Sequence, residues 1–299
     1  MIVGQVTDEM PFMYGEAPVA TSAFDAVLDD DAYNLPLFGA PGGPVSMVDH
    51  AIGLRVSTLV RDGGTLQIGI GSLGNAIGWA LQLRHTRPET YREVVESLGA
   101  PDDAPELVAA DGGLDPFEEG LYGATEMFTE AFLHLYECGV LSRTVYDDPD
   151  VRRLADGDAV DGDLDAEVLA ALLESGAIST PLKETDVRYL KRWGVFRDAV
   201  RWADGRPRVD GEPLPTDVSG PAVRETLASR ALGDSLGGGD VLHGAFFVGS
   251  QGFYEGLRAL DEDARRTLRM RSVQFTNERY GDEALKRRQR RDARFVNTP

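Results

Sequence analysis

Lysine is nearly absent from this chain. Of 30 basic residues only Lys183, Lys191 and Lys286 are lysines, against 50 acidic residues and a net charge of −20. That balance excludes general nucleic-acid binding, which needs a basic face to displace phosphate counterions. An acid-rich, lysine-poor surface suits high salt, where self-repulsion is screened. A high-GC genome gives the same composition, so both origins stay open. Cysteine occurs once, at Cys138, which excludes an internal disulfide framework and a cysteine-rich zinc site. In AFLHLYECGVL it reads as a small core residue rather than a reactive thiol. No apolar run reaches the roughly 20 residues of a membrane span. The opening MIVGQVTDEMPFM lacks the basic and apolar regions of a signal peptide. A cytoplasmic location and no membrane partner are therefore expected. The four histidines, His50, His85, His134 and His243, show no HxxxH spacing, so no metal site is expected. No serine sits in a GxSxG elbow. There is no internal repeat and no low-complexity linker.

What is present begins with a glycine-rich stretch at residues 62–77, DGGTLQIGIGSLGNAI. Asp62-Gly63-Gly64 is turn chemistry, and residues 65–68 have the β-branched, apolar character of a buried strand. Gly69, Gly71 and Gly74 then allow a tight turn and a close backbone approach to a ligand. Residues 76–83 read as a helix. A strand, glycine loop and helix start in that order point backbone N–H groups at an anion or a developing oxyanion. Ser72 and Asn75 join Gly69, Gly71 and Gly74 as candidate substrate-binding residues. The same glycines satisfy GxGxxG, but a dinucleotide site needs an acid about 20 residues on, at the end of a second strand. Glu89, Glu93 and Glu96 fall in that range within PETYREVVESL, which reads as helix. A purely structural strand-to-helix turn is the remaining alternative.

At 299 residues and 42% hydrophobic content, the chain can bury a core and form two domains or one large α/β domain. Residues 2–6 read as a strand, and residues 48–60 carry Ile52, Val56, Leu59 and Val60 at helical spacing. Residues 107–110 read as a strand. Residues 125–138 read as an amphipathic helix closed by Gly139, with Thr125 as its N-cap and Glu126 in its first turn. Glu126 is the candidate catalytic carboxylate; favourable placement at a helix start is its bland explanation. Residues 147–240 are acidic and mainly helical, with a helix at 166–173 and a hairpin around Asp210-Gly211. Residues 241–249 return as a buried strand, 253–260 as helix, 271–277 as strand and 282–292 as a basic helix. Residues 295–297 begin another strand. Lys286, Arg287, Arg288, Arg290, Arg291 and Arg294 form the one strong basic cluster, read as a solvated helix face or as a grip on phosphates. The expected architecture is α/β: an open sheet with helices on both faces over residues 1–146 and 241–299, and a mainly helical acidic insertion over residues 147–240.

Several of these motifs resemble the acetyl-CoA hydrolase and CoA-transferase family, which includes succinyl-CoA:acetate and 4-hydroxybutyrate CoA-transferases. Residues 62–71, DGGTLQIGIG, look like the family's DGxTLQxGIG segment. Gly123-Ala124-Thr125-Glu126-Met127-Phe128, with Leu135 and Gly139-Val140-Leu141 downstream, is similar to its G-[IL]-H-[ST]-E-M-[FI] segment. Gly4-Gln5-Val6 to Met10-Pro11, residues 246–254 and residues 273–277 resemble other segments of the same domain. The inserted residues 147–240 and the ending RRQRRDARFVNTP look like a longer branch.

The resemblance implies acyl-CoA and a small carboxylate as partners, and a coenzyme A thioester as substrate with no covalently bound cofactor. It implies a glutamate that attacks the acyl-CoA and passes through a glutamyl-CoA thioester. In the family that glutamate follows an asparagine-containing strand. Phe295-Val296-Asn297-Thr298 matches only the start of that segment, so the nucleophile is expected outside this chain, which looks like most of one half-enzyme. A missing C-terminal half or a homo-oligomer would complete it. Glu278, in FTNERYG, is the fallback nucleophile. The alternatives are a member that binds acyl-CoA without turnover or serves as a split subunit, and an unrelated nucleotide-binding α/β protein.

Overall fold

The computed structural model describes residues 1–39, 43–156, 164–277, 283–291 and 293–296. Two units divide the chain: Met1–Thr144 together with Asp240–Pro299, and Val145–Gly239. The first is an α/β unit. It opens with strands β1 (Val3–Gln5) and β2 (Ala26–Leu28), which pair in parallel as a small ribbon. Helix α1 (Met47–Ser57) follows, held by a capping box in which Ser46 and Asp49 satisfy each other's backbone N–H. Next come β3 (Thr65–Ile68), α2 (Ser72–Thr86), α3 (Pro88–Ser97), α4 (Ala100–Asp103) and α5 (Pro105–Asp111). Strand β4 (Tyr122–Phe128) and helix α6 (Glu130–Glu137) complete the first part.

The second unit holds α7 (Pro149–Asp156), α8 (Ala166–Glu174), α9 (Glu184–Arg192), strands β5 (Arg201–Ala203), β6 (Arg206–Val209) and β7 (Glu212–Pro213), and α10 (Pro221–Ala231). Its antiparallel strands turn at Asp204-Gly205 and at Asp210-Gly211, where all four residues have positive φ. Two-residue turns of that type match the twist of the flanking strands. A separate apolar core, centred on Trp193, Phe196 and Leu169, fills this unit.

The α/β unit resumes with β8 (Leu242–Phe247), α11 (Gln251–Ala259), α12 (Glu262–Thr267), β9 (Leu268–Met270), α13 (Val273–Asn277), α14 (Glu283–Gln289) and β10 (Ala293–Val296). Its central sheet is parallel throughout, in the order β10-β3-β4-β8-β9. The chain lays β3, β4, β8 and β9 side by side and then returns to the far edge, so β10 pairs with β3. Parallel strands need both faces covered, and the sequence supplies two unlike faces. Leu66, Ile68, Leu242 and Leu268 pack with Ile77, Phe132 and Leu257 from α2, α6 and α11. The opposite face carries Thr65, Tyr122 and His243; α13 lies on β4 and β8, and the Thr65 hydroxyl donates to the Gln289 carbonyl of α14. This is the expected open α/β sheet with helices on both faces.

Three expectations fail. Residues 125–138 are not one helix, because β4 runs through Phe128 and α6 starts at Glu130. Pairing with β8 at Thr125, Met127 and Phe128 holds this segment extended against its helical periodicity. Thr125 is therefore no N-cap; its hydroxyl donates to the Met127 carbonyl at 3.0 Å. Residues 107–110 are helical, within α5, started by Pro105 in the first turn. Of the expected strand at residues 271–277, nothing is strand. Strand β9 ends at Met270, and the Ser272 hydroxyl accepts the Phe275 N–H at 3.2 Å, turning the chain into α13. Glu278, Asp282, Asp292, Asn297 and Thr298 lie outside the described residues, as do residues 157–163 of the acidic stretch.

The basic cluster also divides. Lys286 is buried, its ammonium 4.9 Å from the centre of the Phe275 ring, and Arg290 stands over the same ring at 5.8 Å. Arg291 is paired with Glu119. The solvated-face reading therefore fits the exposed Arg287 and Arg288 and not the helix as a whole.

Candidate functional site

In open α/β sheets, ligands bind beyond the carboxyl ends of the strands. Here that edge is an apolar cavity of about 730 Å³. Ile70 after β3, Met127 of β4, Phe246 of β8 and Met270 of β9 form its floor, and Met10, Ala17, Leu37 and Phe38 its outer wall. The wall is held by polar contacts. Glu9 pairs with Arg258 at 3.3 Å and accepts from Gln251 at 3.0 Å. Glu16 accepts from Arg271 and from the Ser272 N–H, at 2.9 and 2.7 Å. Its own N–H donates to the Met270 carbonyl at 2.8 Å. The Tyr254 hydroxyl donates to the Phe38 carbonyl at 2.8 Å.

The glycine loop opens onto this edge. Gly71 has φ 107° and ψ 178°, a conformation essentially reserved for glycine, and a Cβ there would meet nothing within 4 Å. Backbone and open space meet at Gly71, as a close approach by a ligand requires. Gly74 is different: a Cβ would stand 2.3 Å from the Gly69 carbonyl oxygen. Its role is to let α2 lie against the end of β3. Ser72 is engaged with Asp49, whose carboxyl lies below the usual range because Ser46 hydrogen-bonds it, with Ser72 adding to the effect. That carboxylate places negative charge at the start of α2, against an anion there. Asn75 is not among the residues that line the cavity. It lines a separate groove of about 390 Å³ with His50, Trp79, Glu130 and His134. The expected substrate residues thus sit in different places: Gly71 lies at the strand edge, Gly74 packs α2 against the end of β3, and Asn75 lines the second groove.

Glu126 sits near the carboxyl end of β4, next to the cavity-lining Met127, and accepts a 2.8 Å hydrogen bond from the Asn277 side chain. The two residues are 151 positions apart, and the sequence singled out Asn277 only as the end of an expected strand. The Asp62-Gly63-Gly64 turn lies at the other end of β3. The Asp62 carboxylate accepts from the N–H groups of Gly63, Glu118, Glu119 and Gly120 at 2.9 to 3.0 Å, which makes it a structural anchor.

A polar chain inside the sheet's second face was also missed. The Tyr122 hydroxyl lies 2.6 Å from His243 Nδ1, and His243 Nε2 lies 2.9 Å from Asp240. All three are buried. A carboxylate only accepts, so Nε2 carries a proton toward Asp240, and in the neutral imidazole Nδ1 then accepts from Tyr122. Burial pushes the Tyr122 phenol well above its usual range. Asp240 three residues before His243, at a strand entrance, was the one legible hint.

No family model matches the chain. Over 80 residues it is 34% identical to the succinyl-CoA:cyclohexane-1-carboxylate CoA transferase of Geobacter metallireducens. The chain is CoA-transferase-like over that stretch. The match takes in 27% of this chain and spans 18% of the relative's length. Among solved structures, RipA from Yersinia pestis aligns with a TM-score of 0.46 at 15% identity, over 99% of this chain and 37% of that one. A 4-hydroxybutyrate CoA-transferase from Porphyromonas gingivalis aligns with a TM-score of 0.31 at 22% identity, over 48% of this chain and 27% of that one. Among the described residues no group of three or more metal-ligating side chains comes together, and no helix is long and apolar enough to cross a membrane.

Proposed function

We propose that this chain binds an acyl-CoA at the carboxyl edge of its parallel sheet and acts in CoA transfer or acyl-CoA hydrolysis. The observation that carries this reading is the apolar cavity at the strand ends, whose lining includes Met127, the residue after Glu126. The sequence similarity to a CoA transferase supports it. The acyl group enters the cavity, and the thioester carbonyl lies at the Gly69–Gly71 backbone, which the open space at Gly71 lets a ligand approach closely.

In the chemistry that the resemblance implies, a glutamate carboxylate attacks the thioester carbonyl and expels CoA thiolate, leaving an acyl-glutamyl anhydride. The thiolate then attacks the glutamyl carbonyl and releases the acyl group as its carboxylate, which leaves a glutamyl-CoA thioester. A carboxylate acceptor repeats these steps in reverse; water hydrolyses the thioester instead. The family's glutamate is not among the residues of this sequence that match its pattern. Glu126, paired with Asn277, is assigned to line the cleft. Binding without turnover is the second reading, favoured by the engagement of Glu126 with an amide rather than with a proton-transfer partner.

Calorimetric titration with acyl-CoA tests the binding step, and exchange of label between acyl-CoA and acetate tests turnover. Glu126→Gln keeps the shape and removes the charge, and should change acyl-CoA affinity at least threefold while leaving the unfolding midpoint nearly fixed. Absence of acyl-CoA binding to the wild-type chain would overturn the proposal.

A further inference from the structure

The chemistry of the cavity wall narrows what can occupy it. Among the described residues none that lines it is charged. The one hydroxyl among the described lining residues, on Tyr254, is already committed to the Phe38 carbonyl. Three methionines, Met10, Met127 and Met270, take part in the lining, and flexible thioethers adapt to an irregular apolar guest. The acids of the surrounding wall, Glu9 and Glu16, are held by Arg258 and Arg271 and stand as supports of the rim. A ligand with a carboxylate at its far end would lose its hydration with no cation among the lining residues to replace it. The volume, about 730 Å³, lies within the roughly 300–1,000 Å³ of pockets that enclose a small molecule. Acetyl would leave most of it empty.

Resting on the acyl-CoA reading above, we infer that the cavity selects an uncharged apolar acyl group of medium length, an aliphatic chain or ring, over acetyl and over dicarboxylic acyl groups. Each methylene moved from water into such a site gains about 0.8 kcal/mol, close to a fourfold change in Kd. Affinity should therefore climb about fourfold per methylene from acetyl-CoA through butyryl-CoA to hexanoyl-CoA, and level off as the cavity fills. Succinyl-CoA should bind no better than acetyl-CoA.

The experiment is isothermal titration of the 299-residue chain with free CoA, acetyl-CoA, butyryl-CoA, hexanoyl-CoA, succinyl-CoA and hexanamide. The same series is run on Ala17→Trp, which narrows the cavity from an exposed, non-helical part of its wall. The inference expects the rise with chain length in the wild type and its loss in Ala17→Trp, with free CoA affinity unchanged between the two. Equal affinity for every CoA thioester overturns it while leaving the acyl-CoA reading intact. Binding of hexanamide, abolished in Ala17→Trp, with no binding of CoA or any thioester does the reverse: the apolar guest stands and the acyl-CoA reading falls. If no compound binds, both fall. Hexanoyl-CoA affinity that drops as protein concentration rises would show a second copy covering the cavity, and would also overturn the inference.

Discussion

Replacing Tyr122 by phenylalanine tests the polar chain that ties the middle of the sheet together. The change removes one hydroxyl and keeps a ring that packs edge-on against His243 at 5.5 Å. The hydroxyl is the donor to His243 Nδ1 at 2.6 Å. Without it, a fully buried ring nitrogen loses its acceptor bond, which costs about 1–3 kcal/mol. His243→Phe should cost more, about 3–5 kcal/mol, because the buried Asp240 carboxylate then keeps Arg269 only at 3.9 Å. The predicted order is therefore wild type, then Tyr122→Phe, then His243→Phe. Because the two units have separate cores, a single global midpoint would mix their responses. Hydrogen exchange read by mass spectrometry on peptides spanning β4 and β8 assigns the loss to the sheet. A Tyr122→Phe change below about 0.5 kcal/mol in those peptides would refute the donor assignment, since it would mean that Nδ1 has no need of the phenol.

Gly71→Ala and Gly74→Ala should both destabilise by about 1–3 kcal/mol, the first through a glycine-only backbone conformation and the second through contact with the Gly69 carbonyl. Only Gly71→Ala puts its methyl group in the open space at the strand edge, so calorimetry should show acyl-CoA binding weakened beyond the stability loss there and not at position 74; equal effects on binding would remove the loop from the site. Burial raises the phenol pKa of both Tyr91 and Tyr122. The folded α/β unit thus holds these protons more tightly than the unfolded chain, and the associated stability is full below the unfolded value of about 10 and is lost as pH rises from there toward the folded values. Exchange protection of the sheet should decline from pH 10 upward, by at most about 1.4 kcal/mol per pH unit per tyrosine, and less steeply in Tyr122→Phe; an unchanged slope in that variant would contradict the assignment.

The α/β architecture was legible where a short apolar run was bounded by strong punctuation. Residues 65–68 stood between Asp62-Gly63-Gly64 and the glycine loop, and β3 is found there. The Asp210-Gly211 hairpin was readable because that dipeptide names its turn type. Residues 107–110 were misread because four consecutive apolar positions fit a buried strand and a helix segment equally well; Pro105 decided the matter from outside the run. Residues 125–128 were misread for a different reason. Their conformation is fixed by pairing with β8, a strand distant in sequence, and such pairing leaves no periodic trace in the segment itself. Glu126 was found as a residue of interest through the resemblance, but its surroundings were not, since Asn277 reaches it only after β9 ends and Ser272 starts α13.

The same distinction explains why the cavity had no sequence signature. Its walls come from the amino-terminal crossing segment and from the ends of four strands, so no window of sequence contains it. Stability alone gives little reason to keep it open. Phe38 is 75% exposed, Met10 49%, Ile70 42% and Phe246 40%, and apolar side chains gathered at one place and left facing water tend to be withdrawn or covered unless something binds there. Yet the crossing segment that bounds them is pinned in place by Glu9–Arg258 and Glu16–Arg271 instead of collapsing onto the sheet. A wall held apart by polar contacts, over a floor of methionine and phenylalanine, fits a recess preserved for an apolar guest. Glu126, the residue before the cavity-lining Met127, brings its hydrogen bond with Asn277 to the same strand end.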